Sequence, residues 1–147
     1  TCALPILPIA FMQYLKRGED FITPEGEIVA NELLTVAPPP ARSFAYMTDT
    51  LFRERFADYV KGVDLLYHEA TYMNADAVLA KESYHSTTGQ AARIAELAGV
   101  GKLLLGHFSA RYTECSELLA EAREVFPNTF LCSDGDLFEV PAVKRRS

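Results

Sequence analysis

All three histidines of this chain lie in short polar segments, each at the end of an apolar or predicted helical stretch. His68 is followed by Glu69, His85 is followed by a serine and two threonines, and His107 follows Leu-Leu-Leu-Gly. Asp49 lies in a fourth polar segment, between two threonines. Because α/β folds place their chemistry at the carboxyl ends of their strands, this distribution indicates an active site. Imidazole and carboxylate groups are the ligands and the acid–base groups of hydrolytic metal sites.

Each of these residues also has an ordinary structural interpretation. Asp is among the best N-cap residues and a helix is predicted soon after Asp49, so for this residue taken alone the cap is favoured. A lone histidine such as His107 is more often structural than a ligand, although it shares its strand-end position with Asp49. For His85 a surface position before a helix and a role beside a bound anion are equally supported. Together, at four element boundaries, the residues favour a metal-assisted hydrolase with a neighbouring acid–base group.

Two further expectations concern the neighbours of these histidines. His68 and Glu69 are adjacent at a predicted strand end, so their side chains should point to opposite faces. Ser86 and Thr87 follow His85 and precede a predicted helix, where their hydroxyl and amide groups could bind a substrate phosphate. A histidine that is held by a carboxylate and lies beside a phosphate can act as a general acid.

Several other classes of enzyme are disfavoured by missing motifs. The chain has no GxSxG elbow, no phosphate-binding loop with a lysine, no GxGxxG and no CxxC. Serine hydrolases, nucleoside triphosphatases and dinucleotide enzymes are therefore disfavoured. The chemistry that remains is metal-dependent hydrolysis.

Composition indicates a soluble cytoplasmic protein. The net charge is -6, with 14 basic and 20 acidic residues, so any contact with nucleic acid must be local. The basic tail Lys144-Arg145-Arg146 is interpreted as an ordinary solvated end. Three cysteines, Cys2 among them, have no metal-site spacing and favour reduced thiols. No apolar run approaches the roughly 20 residues of a membrane span, so no membrane contact is expected.

Hydrophobic periodicity predicts strands that alternate with helices, which is an α/β fold. Residues 1–40 are rich in proline, and this composition predicts loops. Within them we predict one hairpin, whose strands are 19–23 and 27–30. Residues 41–147 predict a strand–helix core within one domain. Thr87 and Gln90 fit a capping box, and Gly99 fits a left-handed helix end. The predicted strands of the core are 43–47, 64–67, 102–106, 129–131 and 137–140, and the predicted helices are 53–61, 75–82, 88–98 and 116–126.

The polar segments together resemble a known family. Thr48-Asp49-Thr50, His68-Glu69-Ala70-Thr71, His85-Ser86-Thr87 and the segment 106–112 closely resemble the carboxyl-terminal half of ribonuclease Z. That family has the metallo-β-lactamase fold, a four-layer αββα sandwich, and cleaves tRNA precursors on the 3′ side of the discriminator nucleotide. The resemblance implies that this chain is half of such a sandwich. The combination of the His-Glu-Ala-Thr and His-Ser-Thr motifs is specific to this branch of the fold.

The resemblance also implies a role for each matching residue. Asp49 is expected to bridge two zinc ions, and His107 to ligate one of them. His85 is the expected catalytic histidine, Glu69 orients it, and His68 belongs to the same motif. A zinc-activated water is expected to attack the phosphodiester and to leave a tRNA 3′-hydroxyl.

The resemblance is incomplete, because the family's HxHxDH motif, one further histidine and the tRNA-gripping arm are absent. We interpret the chain as half of an enzyme, either an expressed fragment or an incomplete gene model. Zinc should bind weakly or not at all to Asp49 and His107 alone, so the isolated chain should be inactive. Precursor tRNA and a second copy in a homodimer are the expected partners of the complete enzyme. The alternatives are another phosphodiesterase of the same fold and a non-catalytic assembly module.

Overall fold

The structure, a computed structural model, describes residues 7–36, 38–39 and 41–140. The chain divides into two compact units, Thr1–Pro39 and Pro40–Ser147. Cys2 and the basic tail 144–146 lie outside the described residues. Within the described residues, no helix is both long enough and apolar enough to cross a membrane.

The first unit contains the predicted hairpin and two short helices that the sequence analysis did not predict. Strands β1 (Phe21–Ile22) and β2 (Ile28–Val29) pair in an antiparallel manner across a tight turn. Helices α1 (Met12–Leu15) and α2 (Asn31–Leu34) flank the hairpin. The Asn31 side chain donates hydrogen bonds to the carbonyls of Leu15 and Glu19, at 2.9 and 3.0 Å. These four-residue helices depend on such contacts between distant residues, which local sequence signals do not reveal.

The second unit is a four-stranded parallel sheet with helices, which confirms the predicted α/β class. The strand order is β3-β4-β5-β6, so each strand pairs with the next strand along the chain. Parallel neighbours require crossover connections, and these contain most of the helical residues. The strands are β3 (Phe44–Met47), β4 (Leu65–Glu69), β5 (Lys102–Gly106) and β6 (Thr129–Leu131), and the helices are α3 (Ala77–Glu82), α4 (Thr88–Ala98) and α5 (Ser116–Val125).

Helix α4 begins and ends where the sequence predicts. The Thr87 hydroxyl accepts a hydrogen bond from the Gln90 amide, and the Gln90 side chain accepts one from the Thr87 amide. Gly99 ends the helix in the left-handed conformation, with φ 61°. The capping box and the glycine cap are therefore confirmed, and they fix the segment that carries His85 at the start of this helix.

Two predicted elements differ from the structure. Residues Glu54–Val60 form a 3₁₀ segment instead of an α-helix. The predicted strand 137–140 is wrong, because these residues have no strand conformation. The side chain of Leu137 is 98% exposed, and the contact at this segment is a hydrogen bond from Arg42 to the Val140 carbonyl. An alternating pattern makes a strand only where a neighbouring strand offers paired backbone groups.

The two faces of the sheet differ in burial. One face packs against the alanine-rich side of α4 and forms the core, through the side chains of Ala45, Met47, Leu66, Leu103 and Leu105. On the other face Phe44 and Tyr46 are more than half exposed, and Tyr46 stacks on Tyr67 at 4.5 Å between ring centroids. On this face strand β3 therefore exposes aromatic side chains, whereas Leu65 and Leu104 of the neighbouring strands are buried.

Candidate metal and catalytic site

Three potential ligands converge at the carboxyl end of the sheet. Asp49 follows β3, His107 directly follows β5, and His85 lies in the turn between α3 and α4. One ligand atom from each residue lies within 4.8 Å of those of the other two. The Asp49 Oδ1 is 3.6 Å from His107 Nε2 and 3.9 Å from His85 Nδ1. Residues 49, 85 and 107 are distant in sequence, so the parallel sheet is what brings them together.

Asp49 and His107 share an uncommon backbone conformation. Their φ angles are 47° and 59°, in the left-handed region that residues other than glycine seldom occupy. Such strain persists where the surrounding structure enforces it and is concentrated at functional sites. The cap interpretation of Asp49 is not supported, because Arg53 is the N-cap of the following 3₁₀ segment and has no side-chain capping bond.

Glu69 is a fully buried carboxylate behind these ligands. Its Oε1 accepts hydrogen bonds from the amides of Ser86 and Thr50, at 2.7 and 3.3 Å. Its Oε2 accepts from the amide and the hydroxyl of Thr71, at 3.0 and 2.9 Å. All four partners donate, which is the arrangement that an ionised carboxylate needs. Glu69 thus joins the loops after β3 and β4 to the segment before α4.

His85 lies between Glu69 and the other two ligands. Its Nδ1 is 3.4 Å from Glu69 Oε1, yet this buried nitrogen has no hydrogen bond of acceptable geometry. Its ring stacks on that of His107, with centroids 5.2 Å apart. A buried polar atom without a partner requires an explanation, and a cation or a closer contact in a substrate complex would supply one.

His107 is held by one ring nitrogen and presents the other. Its Nδ1 lies 2.8 Å from the Thr71 hydroxyl oxygen, while its Nε2 faces Asp49. The residue before it, Gly106, lies at the end of β5 and is closely approached by another side chain. The group that approaches is the phenol of Tyr67, whose oxygen would lie 2.5 Å from a Cβ at Gly106.

His68 does not join the other two histidines. It is 1% exposed, and its Nδ1 is 2.6 Å from the Glu69 carbonyl oxygen. In the sheet register it lies between Met47 and Leu105. Burial lowers the pKa of His68, which favours the neutral ring. Its catalytic role stays a prediction.

Ser86 and Thr87 are buried, and their donors have partners within the protein. The Ser86 hydroxyl donates to the Thr50 carbonyl at 2.6 Å, and the Thr87 hydroxyl donates to the Asn74 side chain at 2.6 Å. The amides of Ser86 and Thr87 donate to Glu69 and Gln90. Phosphate binding by these two residues stays a prediction, and in this structure they support the segment that carries His85.

A polar cluster outside the predicted site residues joins the loops after β4 and β5. The Tyr112 hydroxyl donates to Asp76 at 2.5 Å and accepts from the Met73 amide at 2.9 Å. Arg111 pairs with the same Asp76 at 3.2 Å. These hydrogen bonds lower the pKa of Asp76, and the bond from Tyr112 has the largest effect. The cluster keeps the loop after His107 close to the loop that contains Thr71. The sequence signal for the cluster is the Arg-Tyr pair that follows the candidate ligand His107.

The three convergent residues fit a metal ion in part. A carboxylate and two imidazoles are the ligand types that zinc prefers, and catalytic zinc sites use three protein ligands. The Thr71 contact orients His107 in the way that a hydrogen-bonded neighbour orients a metal-bound histidine. The unpartnered Nδ1 of His85 is consistent with the same fit.

The family follows from comparison with known proteins. Residues 29–108 match the family model of a β-lactamase superfamily domain. The chain belongs to this superfamily, and it has the metallo-β-lactamase fold. The structure is similar to that of the metallo-β-lactamase-fold protein YhfI from Bacillus subtilis, with a TM-score of 0.61 and 26% identity over 65% of this chain and 39% of that one.

More similar sequences are named ribonuclease Z. The chain is 50% identical to the ribonuclease Z of Bacteroides fragilis over 87% of this chain and 42% of that protein. It is 41% identical to the ribonuclease Z of Phocaeicola vulgatus over 94% of this chain and 45% of that protein. The chain therefore spans less than half the length of these relatives.

Proposed function

We propose that this chain is the carboxyl-terminal half of a zinc-dependent endoribonuclease that removes 3′ trailers from precursor tRNA. The observation that carries the proposal is the convergence of Asp49, His85 and His107 beside the buried Glu69. Relatives that are named ribonuclease Z and are 41–50% identical to the chain support this family, and precursor tRNA is the substrate that the family resemblance implies.

In this proposal Asp49 and His107 hold the metal. Both lie at the carboxyl end of the sheet in the left-handed backbone conformation, and Asp49 Oδ1 is 3.6 Å from His107 Nε2. A bound zinc ion would polarise the phosphodiester and activate a water for attack on phosphorus. The remaining ligands, of the HxHxDH type, would come from the other half of the protein.

His85 is the proposed acid–base group. Its Nδ1 faces the Glu69 carboxylate, so Nε2 is the atom that exchanges a proton with the leaving oxygen. Glu69 orients the ring through its contact with Nδ1. The fully buried position of Glu69 strengthens this electrostatic contact, because little water screens it.

The exposed aromatic side chains of strand β3 support the proposal that the chain is one half of a sandwich. Phe44 and Tyr46 would be covered by the second sheet of the complete protein. We also propose that the complete protein is a cytoplasmic homodimer, as the family resemblance implies. The unpaired thiols of Cys115 and Cys132 suit a reducing compartment.

The test compares His85→Ala with Asp49→Asn in the complete protein. Cleavage of a 3′-extended precursor tRNA and bound zinc are measured for each. We expect His85→Ala to lose about 10²–10⁴-fold in cleavage with zinc content retained, and Asp49→Asn to lose both. If His85→Ala loses zinc in proportion to activity, His85 is a ligand and not the acid–base group.

The substrate requires a separate arm of the experiment. The same protein is tested on bis(p-nitrophenyl) phosphate, a small diester without RNA structure. Cleavage of the diester combined with inertness toward precursor tRNA would identify a different phosphodiesterase of the same fold. Inertness toward both substrates, in a folded and zinc-loaded protein, would support a non-catalytic assembly module.

A further inference from the structure

The hydroxyl of Thr71 lies between two groups of the candidate site. Its oxygen is 2.9 Å from Glu69 Oε2 and 2.8 Å from His107 Nδ1. A hydroxyl has one hydrogen, so it can donate to only one of these two atoms. It must either accept a hydrogen bond from the other atom or make no hydrogen bond with it. The choice determines which nitrogen of the neutral His107 ring carries the hydrogen.

The buried carboxylate has the stronger claim on the Thr71 hydrogen. Glu69 is fully buried, and a hydrogen bond to an ionised acceptor is about twice as strong as one between neutral groups. A low local dielectric strengthens it further. If Thr71 donates to Glu69, then His107 Nδ1 must donate to Thr71, and Nε2 is left with a free lone pair.

Asp49 favours the opposite arrangement, but more weakly. Its Oδ1 is 3.6 Å from His107 Nε2, beyond normal hydrogen-bond length, and could attract a hydrogen on that nitrogen. The side chains of Asp49 and His107 are 66% and 46% exposed, so water screens this pair. The buried Glu69–Thr71 contact therefore outweighs the exposed one.

We propose that Thr71 is a positioning residue whose hydroxyl donates to Glu69 and accepts from His107 Nδ1. This chain of hydrogen bonds fixes the His107 tautomer that carries its hydrogen on Nδ1. The lone pair of Nε2 is then directed toward Asp49, and the two atoms are ready to bind a divalent cation without prior loss of a proton. One buried carboxylate thus orients His85 by direct contact and fixes the tautomer of His107 through Thr71. This inference rests on the proposed metal site, but it describes a property that the metal-free chain already has.

The tautomer can be measured directly in the full chain without metal. Long-range ¹H–¹⁵N correlation NMR, under mildly alkaline conditions, separates ring nitrogens that carry hydrogen from those that do not. The His107 ring is assigned from the signals that disappear in His107→Asn. We expect hydrogen on Nδ1 and none on Nε2. Hydrogen on Nε2, or a ring that exchanges between both forms, would overturn the inference.

Two substitutions at Thr71 and one elsewhere separate positioning from general stability. Thr71→Val removes the hydroxyl at nearly constant volume, and Thr71→Ser retains it. The matched control is Thr129→Val, because Thr129 is also buried and its hydroxyl donates to the Phe126 carbonyl. We expect the His107 tautomer to change in Thr71→Val and to be preserved in Thr71→Ser and Thr129→Val. A preserved tautomer in a folded Thr71→Val protein would overturn the inference.

The zinc affinity of the complete protein gives a second readout that does not depend on RNA cleavage. Loss of a group that orients a ligating histidine typically weakens metal binding about 10–100-fold. We expect this loss for Thr71→Val and not for Thr129→Val, and equal affinities would contradict the inference. If the NMR result holds while the complete, zinc-loaded protein does not cleave precursor tRNA, the proposed function fails and the positioning role stands.

Discussion

The Glu69 Oε1 lies 3.4 Å from His85 Nδ1, and the carboxylate has no solvent exposure. The same side chain accepts hydrogen bonds from the amides of Thr50, Thr71 and Ser86. A single buried group thus fixes the three loops that meet at the site and also contacts the proposed acid–base residue.

Replacement of Glu69 by glutamine should reduce stability although the two side chains have almost the same shape. An amide retains one acceptor oxygen and presents an NH₂ group to donors that previously faced a carboxylate. A buried donor left without an acceptor costs about 1–3 kcal/mol. We expect Glu69→Gln to lower the free energy of unfolding, measured in urea, by roughly 3 kcal/mol.

The control for this substitution is Glu96→Gln. Glu96 lies on the exposed side of α4 and pairs with Arg93 at 2.6 Å. Exposed ion pairs contribute about 0–1 kcal/mol, so this variant should unfold almost as the wild type does. Equal stabilities of Glu69→Gln and Glu96→Gln would contradict the buried network described for Glu69.

The close approach of Tyr67 predicts that Gly106→Ala is destabilising. A Cβ at Gly106 would lie 2.5 Å from the Tyr67 hydroxyl, so the ring or the end of β5 must move. Overpacking of this kind costs about 1–3 kcal/mol. In a Tyr67→Ala background, the same Gly106→Ala change should cost less, and additive losses in the double-mutant cycle would contradict the contact.

The Tyr67 phenol also offers a spectroscopic readout of this change. Burial raises the pKa of Tyr67 to about 12. Displacement of the ring by Gly106→Ala should return the pKa toward the ordinary value of about 10. Ultraviolet titration of the phenolate measures it, with the wild type as reference.

The buried His68 predicts a loss of stability in acid. Burial lowers its pKa in the folded protein, so the unfolded chain takes up the proton first as the pH falls. The contribution of neutral His68 is complete above the ordinary imidazole pKa of about 6.5, and it is lost as the pH falls toward the lower pKa of the folded state. Unfolding free energies between pH 8 and 5 should therefore decrease less steeply for His68→Gln than for the wild type. Parallel curves would show that His68 does not contribute.

The isolated chain should bind zinc weakly. Of the three convergent residues, only Asp49 and His107 are proposed metal ligands, and Asp49 is exposed. Structural zinc sites with complete ligand sets bind with about 10–16 kcal/mol. We expect titration calorimetry to give a smaller free energy than this range, and tight stoichiometric zinc would contradict the half-site interpretation.

Local signals predicted those elements that local chemistry determines. Helix α4 was predicted at both ends because Thr87, Gln90 and Gly99 satisfy its terminal backbone groups without help from distant residues. Strand β5 was predicted from its apolar run. The segment 137–140 has a similar pattern but no paired neighbour, and a sequence alone does not show which strands will pair.

The site was predictable in its residues and not in its connections. Asp49, Glu69, His85 and His107 were recognised from their types and their positions at element ends. The bond between Thr71 and His107 joins residues 36 positions apart, and it exists because β4 and β5 are adjacent and in register. The left-handed backbone at Asp49 and His107 likewise depends on loops that the tertiary structure holds.

The most direct test of the account is cleavage of a 3′-extended precursor tRNA by this chain alone and by this chain joined to an amino-terminal half that carries HxHxDH. The ends of the products are mapped, with zinc present and after its removal by a chelator. We expect the joined protein to cleave after the discriminator nucleotide only with zinc, and the chain alone not to cleave. Zinc-independent cleavage, cleavage by the chain alone, or an inert joined protein that is folded and loaded with zinc would contradict the account.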